Sequence, residues 1–187
     1  KSGLASSRWL TDAALWTLAR EQPTLTMVYL PHLDYDHQRY GPMHERSLAA
    51  LTEVDTLVGD LLDGAERAGA EVVVVSEYGL CAVDTPVHVN RVLRRAGLLA
   101  ARETPAGEVL DVFASQAFAL ADHQVAHVYV RSVEVRARVK ALLEATSGIE
   151  RVLDELGHLE FGLDHPRAGD LVAIAAPRAW FTYYYWD

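Results

Sequence analysis

The sequence is short of the features that mark several classes of protein. It has one cysteine, Cys81, in 187 residues, so no disulfide can form within the chain and we expect a reducing, cytoplasmic setting. No run approaches the roughly 20 apolar residues of a bilayer span, so we expect no membrane segment. Basic residues number 17 against 26 acidic ones, and the net charge of -9 argues against a nucleic acid polymer as partner. These absences favour a globular protein that handles small molecules.

What the sequence does contain is a large apolar fraction arranged in regular patterns. Half of the residues are hydrophobic, which is enough for one sizeable core. We therefore predict a single domain over residues 1–187, with a smaller lobe over residues 85–165. The chain does not start with methionine and its last residues are aromatic, so we expect it to be part of a longer protein.

Helices and strands follow from the spacing of the apolar residues. Apolar residues recur every three or four positions in three segments, which predicts amphipathic helices over 5–21, 45–68 and 132–146. Short continuous apolar runs predict strands buried on both faces over 25–30, 71–76 and 170–177. Strand, helix and strand in this order form a βαβ unit. The sequence thus predicts an α/β fold, a layered sandwich with a mostly parallel central sheet flanked by helices.

The segment assigned to the smaller lobe contains shorter predicted elements. A short helix within residues 86–99 leads toward an edge strand, and the stretch 102–108 reads as a loop. Strands are predicted over 116–122, 125–130 and 149–154. Together these elements predict an inserted α+β lobe.

Two polar motifs follow the first two predicted strands. The segment YLPHLDYDHQRYGP (29–42) carries His32, Asp34 and Asp36, and VVVVSEYGL (72–80) carries Glu77 and Tyr78. Groups at the carboxyl ends of parallel strands gather at one sheet edge, and on an extended backbone the first three would project to one side. Carboxylates and imidazoles suit Zn²⁺ or Mn²⁺, although a solvated acidic loop explains the pattern equally well.

Further candidates lie outside the two motifs. His165 in LDHPRAGDL is a candidate metal ligand, and the alternative is a turn shaped by Pro166 and Gly169. His88, His123 and Tyr78 are candidates for substrate binding. The alternatives are helix capping for His88 and a hydrogen-bonded turn for His123.

The two motifs resemble the alkaline phosphatase superfamily, in particular the nucleotide pyrophosphatases/phosphodiesterases and phosphonoacetate hydrolases. With the register set by Gly41-Pro42, Asp34 falls on the family's metal-binding aspartate and Gln38 on its histidine. Glu77-Tyr78-Gly79 falls on the family's Asp-His-Gly pattern. The resemblance implies an alkaline phosphatase-like fold that uses divalent metal, Zn²⁺ first and Mn²⁺ second, to hydrolyse a phosphodiester, pyrophosphate or phosphonate in a small molecule.

Three positions depart from the family pattern, since Gln38, Glu77 and Tyr78 stand where the family has histidine, aspartate and histidine. The remaining ligands and the nucleophile could lie outside these residues, a shifted set of His32, Asp34, Asp36 and Glu77 could hold the metal, or catalysis could be lost. A non-catalytic relative that binds a metabolite or a partner protein is therefore the alternative function. The aromatic end WFTYYYW also predicts packing against another chain segment or a homo-oligomer.

Overall fold

The computed structural model describes residues 3–186, which divide into two compact units. The first unit extends to Ala82 and the second begins at Val83, close to the start of the predicted lobe. The single domain with a lobe over 85–165 stays a prediction. In the described part of the chain, no helix combines the length and the hydropathy needed to cross a membrane.

The first unit is built from three helices. Helix α1 (Leu4–Glu21) packs on α3 (Glu45–Ala68), and α3 also packs on α2 (His32–Tyr40). Helix α3 ends at Gly69, whose φ of 66° lies in the left-handed region that favours glycine. At Gly64 a Cβ atom would overlap the side chain of Leu15, so the absence of a side chain at Gly64 lets α1 approach closely. These bounds confirm the helices predicted over 5–21 and 45–68.

The two apolar runs of the first unit do not form the predicted buried strands. Residues 25–30 and 71–76 are outside the strand ladders of the described residues, and most of their side chains are exposed. An apolar run indicates that burying the segment is favourable. It does not show that a neighbouring strand is present to form a ladder with it. The prediction of two buried strands here is therefore wrong.

The second unit mixes short strands and helices around one core. Its core is lined by residues from most of its elements, and Val128, Val139, Leu143, Leu171 and Phe181 are fully buried in it. Its elements, in chain order, are β1 (Thr85–Val87), α4 (Val89–Arg95), β2 (Ala100–Thr104), β3 (Gly107–Asp111), β4 (Ala117–Asp122), β5 (Val125–Val130), α5 (Val133–Glu144), β6 (Ile149–Leu153), α6 (Glu155–Phe161), β7 (Leu171–Ala175) and β8 (Ala179–Phe181).

The sheets of the second unit are small and mostly antiparallel. Strands β4, β5, β7 and β6 form one sheet in that order with every neighbouring pair antiparallel, and α5 packs against it. Strands β1 and β8 form a separate parallel pair. The large parallel central sheet predicted from the sequence is not found in residues 3–186. The apolar run in β7 indicated burial on both faces, which does not determine strand direction.

The predicted loop over 102–108 is also wrong. Strands β2 and β3 form an antiparallel hairpin through this stretch, with Thr104 opposite Gly107. Gly107 has a φ of 108°, which glycine accepts at low cost and which closes the turn. Charged residues suit a two-stranded ribbon with exposed faces, so polarity alone gave the wrong assignment.

Gly169, two residues before β7, lies very close to the backbone of β5. A Cβ atom built there would lie 2.6 Å from the backbone nitrogen of Val128 and 2.8 Å from its oxygen. We expect Gly169→Ala to lower the free energy of unfolding by about 1–3 kcal/mol, because backbone atoms have to move. Denaturant unfolding measures this. Gly59→Ala is the control: Gly59 lies inside α3 with nothing within 4 Å of its Cβ position, so a similar loss there would contradict the explanation.

Candidate functional site

The first motif forms a helix and not the extended segment predicted from the sequence. Helix α2 follows Pro31, has the acidic Asp34 in its first turn and has His37 and Arg39 in its last turn, which suits the helix dipole. Two residues in a helix turn by about 200°, so His32 and Asp36 share a face and Asp34 lies on the opposite one. The prediction that His32, Asp34 and Asp36 project to the same side is therefore wrong.

Asp34 is held by two uncharged donors. The Tyr78 hydroxyl donates a hydrogen bond to Asp34 Oδ1 at 2.8 Å, and Gln38 Nε2 donates to Asp34 Oδ2 at 2.7 Å. Gln38 is one helical turn after Asp34, the spacing at which side chains on a helix meet. We call Asp34, Gln38 and Tyr78 the Asp34 cluster. It joins α2 to the segment that follows the second apolar run.

The carboxylate changes the acidity of its phenol partner. The hydrogen bond to Asp34 raises the pKa of Tyr78 from 10.0 to about 12, and partial burial and the charges of Asp34 and Glu77 act in the same direction. The side chain of Tyr78 is nevertheless half exposed. At neutral pH it is therefore a protonated donor, and it is a weak metal ligand in that form.

We expect Tyr78 to ionise only near pH 12. Because the folded pKa lies above the ordinary value of 10.0, the contribution of this hydrogen bond to stability is fully present below pH 10 and is lost as pH rises through 12. A spectrophotometric titration of phenolate, taken as the difference between the wild type and Tyr78→Phe, measures the pKa. Asp34→Asn should bring it down toward 10, and Asp122→Asn on an exposed turn should not. A wild-type Tyr78 that titrates near pH 10 would refute the cluster.

His32 makes contacts inside the helical unit. Its Nδ1 is hydrogen-bonded to Ser7 Oγ of α1 at 2.8 Å, and its Nε2 lies 3.8 Å from Glu53 Oε2 of α3. The His32 and Ser7 side chains are both buried. This histidine therefore links three helices, on the face of α2 away from Asp34.

Asp36 and Glu77 complete the predicted metal set of the first unit. Asp36 is half-buried on α2, one turn after His32, whereas Glu77 is exposed beside Tyr78. Glu77 contributes to the raised pKa of Tyr78 through its charge. Within the described part of the first unit, no hydrogen bond or ion pair joins any two of the predicted metal ligands His32, Asp34, Asp36 and Glu77.

His88, a predicted substrate-binding residue, lies just before α4 in the second unit. Its Nδ1 is hydrogen-bonded to Thr182 Oγ1 at 2.7 Å, and its ring stacks against Tyr184 with centroids 5.8 Å apart. Burial lowers the pKa of His88, and the positive charges of Arg91 and Arg95 lower it further. The neutral imidazole thus has a defined place within its own unit.

His123 and His165 both lie in turns. His123 has a φ of 54° in the connection between β4 and β5, its side chain is exposed, and its Nε2 lies 3.7 Å from Asp122 Oδ1. His165 Nδ1 accepts a hydrogen bond from the backbone N–H of Arg167 at 3.1 Å. These contacts match the turn alternatives that the sequence left open, and the functional roles of both residues stay predictions.

Of the predicted site residues, Asp34 and Tyr78 are the pair that the structure joins. The partner missed from the sequence is Gln38, which had been noted only as a departure from the family histidine. Its signal was the Asp-x-x-x-Gln spacing, which becomes informative once residues 32–40 are known to be helical.

The Asp34 cluster opens on a cavity in the first unit. The cavity has a volume of about 680 Å³ and is lined mostly by apolar side chains from α1, α3 and the two extended segments. Asp34, Glu77 and Tyr78 supply part of its polar lining, and no Lys, Arg or His lines it among the described residues. We call this cavity the first-unit groove.

The donor set at these positions does not fit the metal pair that the resemblance implies. Both oxygens of Asp34 accept hydrogen bonds, Gln38 presents its N–H group and Tyr78 stays protonated. Cations such as Zn²⁺ need deprotonated or lone-pair donors at these places. Within residues 3–186 no three His, Cys, Asp or Glu side chains are grouped closely enough to hold a metal ion.

Two solved structures similar to this chain are complexes of the same enzyme. The phosphonoacetate hydrolase from Sinorhizobium meliloti 1021 in complex with phosphonoacetate has a TM-score of 0.69 and 19% sequence identity. Its complex with phosphonoformate has a TM-score of 0.68 at the same identity. Each match covers 96% of this chain and 43% of the enzyme, so the chain spans less than half of these relatives. This likeness shows an alkaline phosphatase-like fold.

The search of curated proteins gave no match. The family comparison is more informative, because a family model described as type I phosphodiesterase / nucleotide pyrophosphatase matches residues 1–187. That match covers both motifs and both compact units. The chain therefore belongs to the type I phosphodiesterase / nucleotide pyrophosphatase family.

Proposed function

We propose that the protein is a non-catalytic member of its family, which binds a metabolite or a partner protein and does not hydrolyse phosphoesters with a metal pair. The observation that carries the proposal is the Asp34 cluster. Two neutral hydrogen-bond donors, Gln38 and Tyr78, each donate to one oxygen of the carboxylate at the family's metal position. In this arrangement the side chains at two of the family's ligand positions point N–H and O–H groups, and not lone pairs, at Asp34.

The charge around the cluster supports the same proposal. Asp34, Glu71 and Glu77 are carboxylates that line the first-unit groove, and among residues 3–186 no basic side chain lines it. A phosphate or phosphonate anion would meet repulsion there, because no positive charge in this lining offsets the three acids. A neutral or cationic group on the ligand suits this lining better.

The second candidate is a metal-dependent hydrolase of a phosphodiester, pyrophosphate or phosphonate in a small molecule, with Zn²⁺ or Mn²⁺. The observation that favours it is the family match over residues 1–187. Carboxylates are also retained at positions 34 and 77. On this account Asp34 and Glu77 would contribute to the site, and the remaining donors would come from elsewhere in the protein.

One assay separates the two candidates. The protein, produced with its natural flanking sequence, is incubated with a nitrophenyl phosphodiester, nitrophenyl phosphate or phosphonoacetate in Zn²⁺ or Mn²⁺, with and without chelator, beside the Sinorhizobium meliloti phosphonoacetate hydrolase as positive control. We expect no turnover above the metal-only blank. Turnover that chelator and Asp34→Ala both abolish, and that Asp122→Ala on the exposed β4–β5 turn leaves intact, would establish the hydrolase and overturn the proposal.

A further inference from the structure

Strand β6 lies at one edge of the four-stranded sheet of the second unit. It pairs with β7 on one side, and no strand of residues 3–186 pairs with its other side. The strand at the opposite edge, β4, is capped, because the side chain of Asn90 donates to the carbonyl of Ala119 and accepts from its N–H. An edge without such a cap presents main-chain groups on which a further strand can add.

The hydrogen bonds of the neighbouring strand β7 fix the direction of its main-chain groups. The N–H of Ala175 donates to the carbonyl of Gln124, on the side of β5, at 2.9 Å. The N–H of the next residue, Ala176, donates to the carbonyl of Gly148, on the side of β6, also at 2.9 Å. Because successive residues of an antiparallel strand alternate in this way, the even-numbered residues of β7 face β6.

The same alternation identifies the main-chain groups of β6 that face outward. Ile174 is paired with Arg151 and Val172 with Leu153, so these two residues of β6 direct their N–H and C=O groups toward β7. Val152, between them, directs its N–H and C=O groups away from β7. Apart from the ladder, no backbone hydrogen bond is made by Val152 within the described residues.

A groove runs along this open edge of β6. It has a volume of about 350 Å³ and is lined by all five residues of β6. Its sides are formed by Glu144 at the end of α5 and by Gly157 and Glu160 of α6. We call it the β6 groove. Its shape is that of a channel with a strand edge along its floor.

The charge of the β6 groove is mainly negative. One guanidinium and four carboxylates line it, namely Arg151, Glu144, Glu150, Asp154 and Glu160. Arg151 and Glu160 are 3.4 Å apart and their side chains are about half exposed, so this pair contributes little and can exchange partners. Lys140 contacts Asp154 and Glu144, whereas Glu150 has no ion pair among the described residues. The groove therefore attracts cationic side chains.

We propose that the β6 groove binds an extended basic peptide segment of a partner protein, which pairs its main chain with Val152 and places Lys or Arg side chains beside Glu150 and Glu160. Main-chain hydrogen bonds provide affinity in this mode of binding, and alternate side chains provide specificity. A second copy of the chain is a poorer occupant, because pairing β6 with β6 would bring two sets of the same acids together. The β6 groove shares no residue with the Asp34 cluster, so peptide binding and phosphoester turnover are independent measurements.

Amide exchange in the presence of a synthetic peptide tests the proposal. The protein, produced with its natural flanking sequence, is mixed with the capped peptide Lys-Val-Lys-Val-Lys, and exchange in β6 is followed by NMR. With peptide at about ten times its Kd, the amide of Val152 should exchange about 10-fold more slowly, whereas that of Leu153, which already faces β7, should change by less than about 2-fold. Absence of saturable binding, or unchanged exchange at Val152, would overturn the proposal. Protection of Val152 in a dimer without peptide would overturn it too, and would assign the groove to a second copy.

Matched charge reversals give an independent readout. Glu150→Lys combined with Glu160→Lys should weaken peptide binding by at least about 10-fold, because like charges then face each other. Glu103→Lys combined with Asp122→Lys is the control, since it makes the same change in net charge at exposed positions of β2 and β4. The control should change the affinity by less than about 2-fold. Equal losses in the two double variants would mean that net charge alone attracts the peptide, and would contradict binding in the β6 groove.

Discussion

Changing Gln38→His, Glu77→Asp and Tyr78→His together is expected to raise the affinity of the protein for Zn²⁺ by at least about 100-fold. The three changes restore the residue types that the family pattern has at these positions. Two neutral imidazoles would replace the amide and the phenol that now donate to Asp34, and would offer lone pairs in their place. Substituting a residue that hydrogen-bonds to a metal ligand typically changes metal affinity by about 10–100-fold. Substituting the ligands themselves should therefore have a larger effect.

The measurement is a competition titration of Zn²⁺ between the protein and a chromophoric chelator. Adding Asp34→Ala to the triple variant is the matched control, since it removes the carboxylate that the new histidines would join. Affinity should then return to the wild-type level. A triple variant that binds Zn²⁺ no more tightly than the wild type would mean that the residues at 38, 77 and 78 are not what limits metal binding.

Replacing Phe181 by alanine should have the largest effect on stability. Phe181 on β8 is fully buried within the core of the second unit. Removing its ring leaves a cavity and should lower the free energy of unfolding of that unit by about 3–5 kcal/mol. Denaturant unfolding monitored by circular dichroism measures the change.

Phe113 provides the matched control for this substitution. It belongs to the same unit, in the connection between β3 and β4, but its side chain is 86% exposed. Phe113→Ala should therefore change the free energy of unfolding by no more than about 0.5 kcal/mol. Comparable losses from the two substitutions would contradict the position of Phe181 in the core.

The long helices could be predicted from the sequence because the pattern that indicates a helix is local. In 5–21 and 45–68 the apolar residues repeat at helical spacing, and a glycine stands just after the second helix. The helix predicted over 132–146 corresponds to α5 (Val133–Glu144) in the same way. Each of these signals lies within one stretch of sequence, so no knowledge of the rest of the fold was needed.

The strands were harder to predict because pairing is a long-range property. Residues 170–177 contain the predicted strand β7, but its neighbours β5 and β6 are both antiparallel to it. Residues 71–76 have equal apolar character and remain unpaired. The same local pattern therefore has two outcomes, because the position of the neighbouring chain decides between them.

The sequence predicts that the two motifs lie close together, but it does not predict how their side chains interact. Asp34 and Tyr78, which are 44 residues apart, are joined by a hydrogen bond. The sequence analysis does not predict the helix over 32–40, because it treats the first motif as an extended segment or a solvated acidic loop. As a result the geometry of Gln38, which depends on that helix, was missed as well.

The metal content of the purified wild-type protein tests the central claim most directly. The protein is produced with its natural flanking sequence in medium supplemented with Zn²⁺ and Mn²⁺, and its metals are quantified by mass spectrometry. If Gln38 and Tyr78 satisfy Asp34 in place of a metal, the protein will contain far less than one metal ion per chain, and Asp34→Ala will not change that value. A stoichiometric metal ion that is lost in Asp34→Ala would contradict the account.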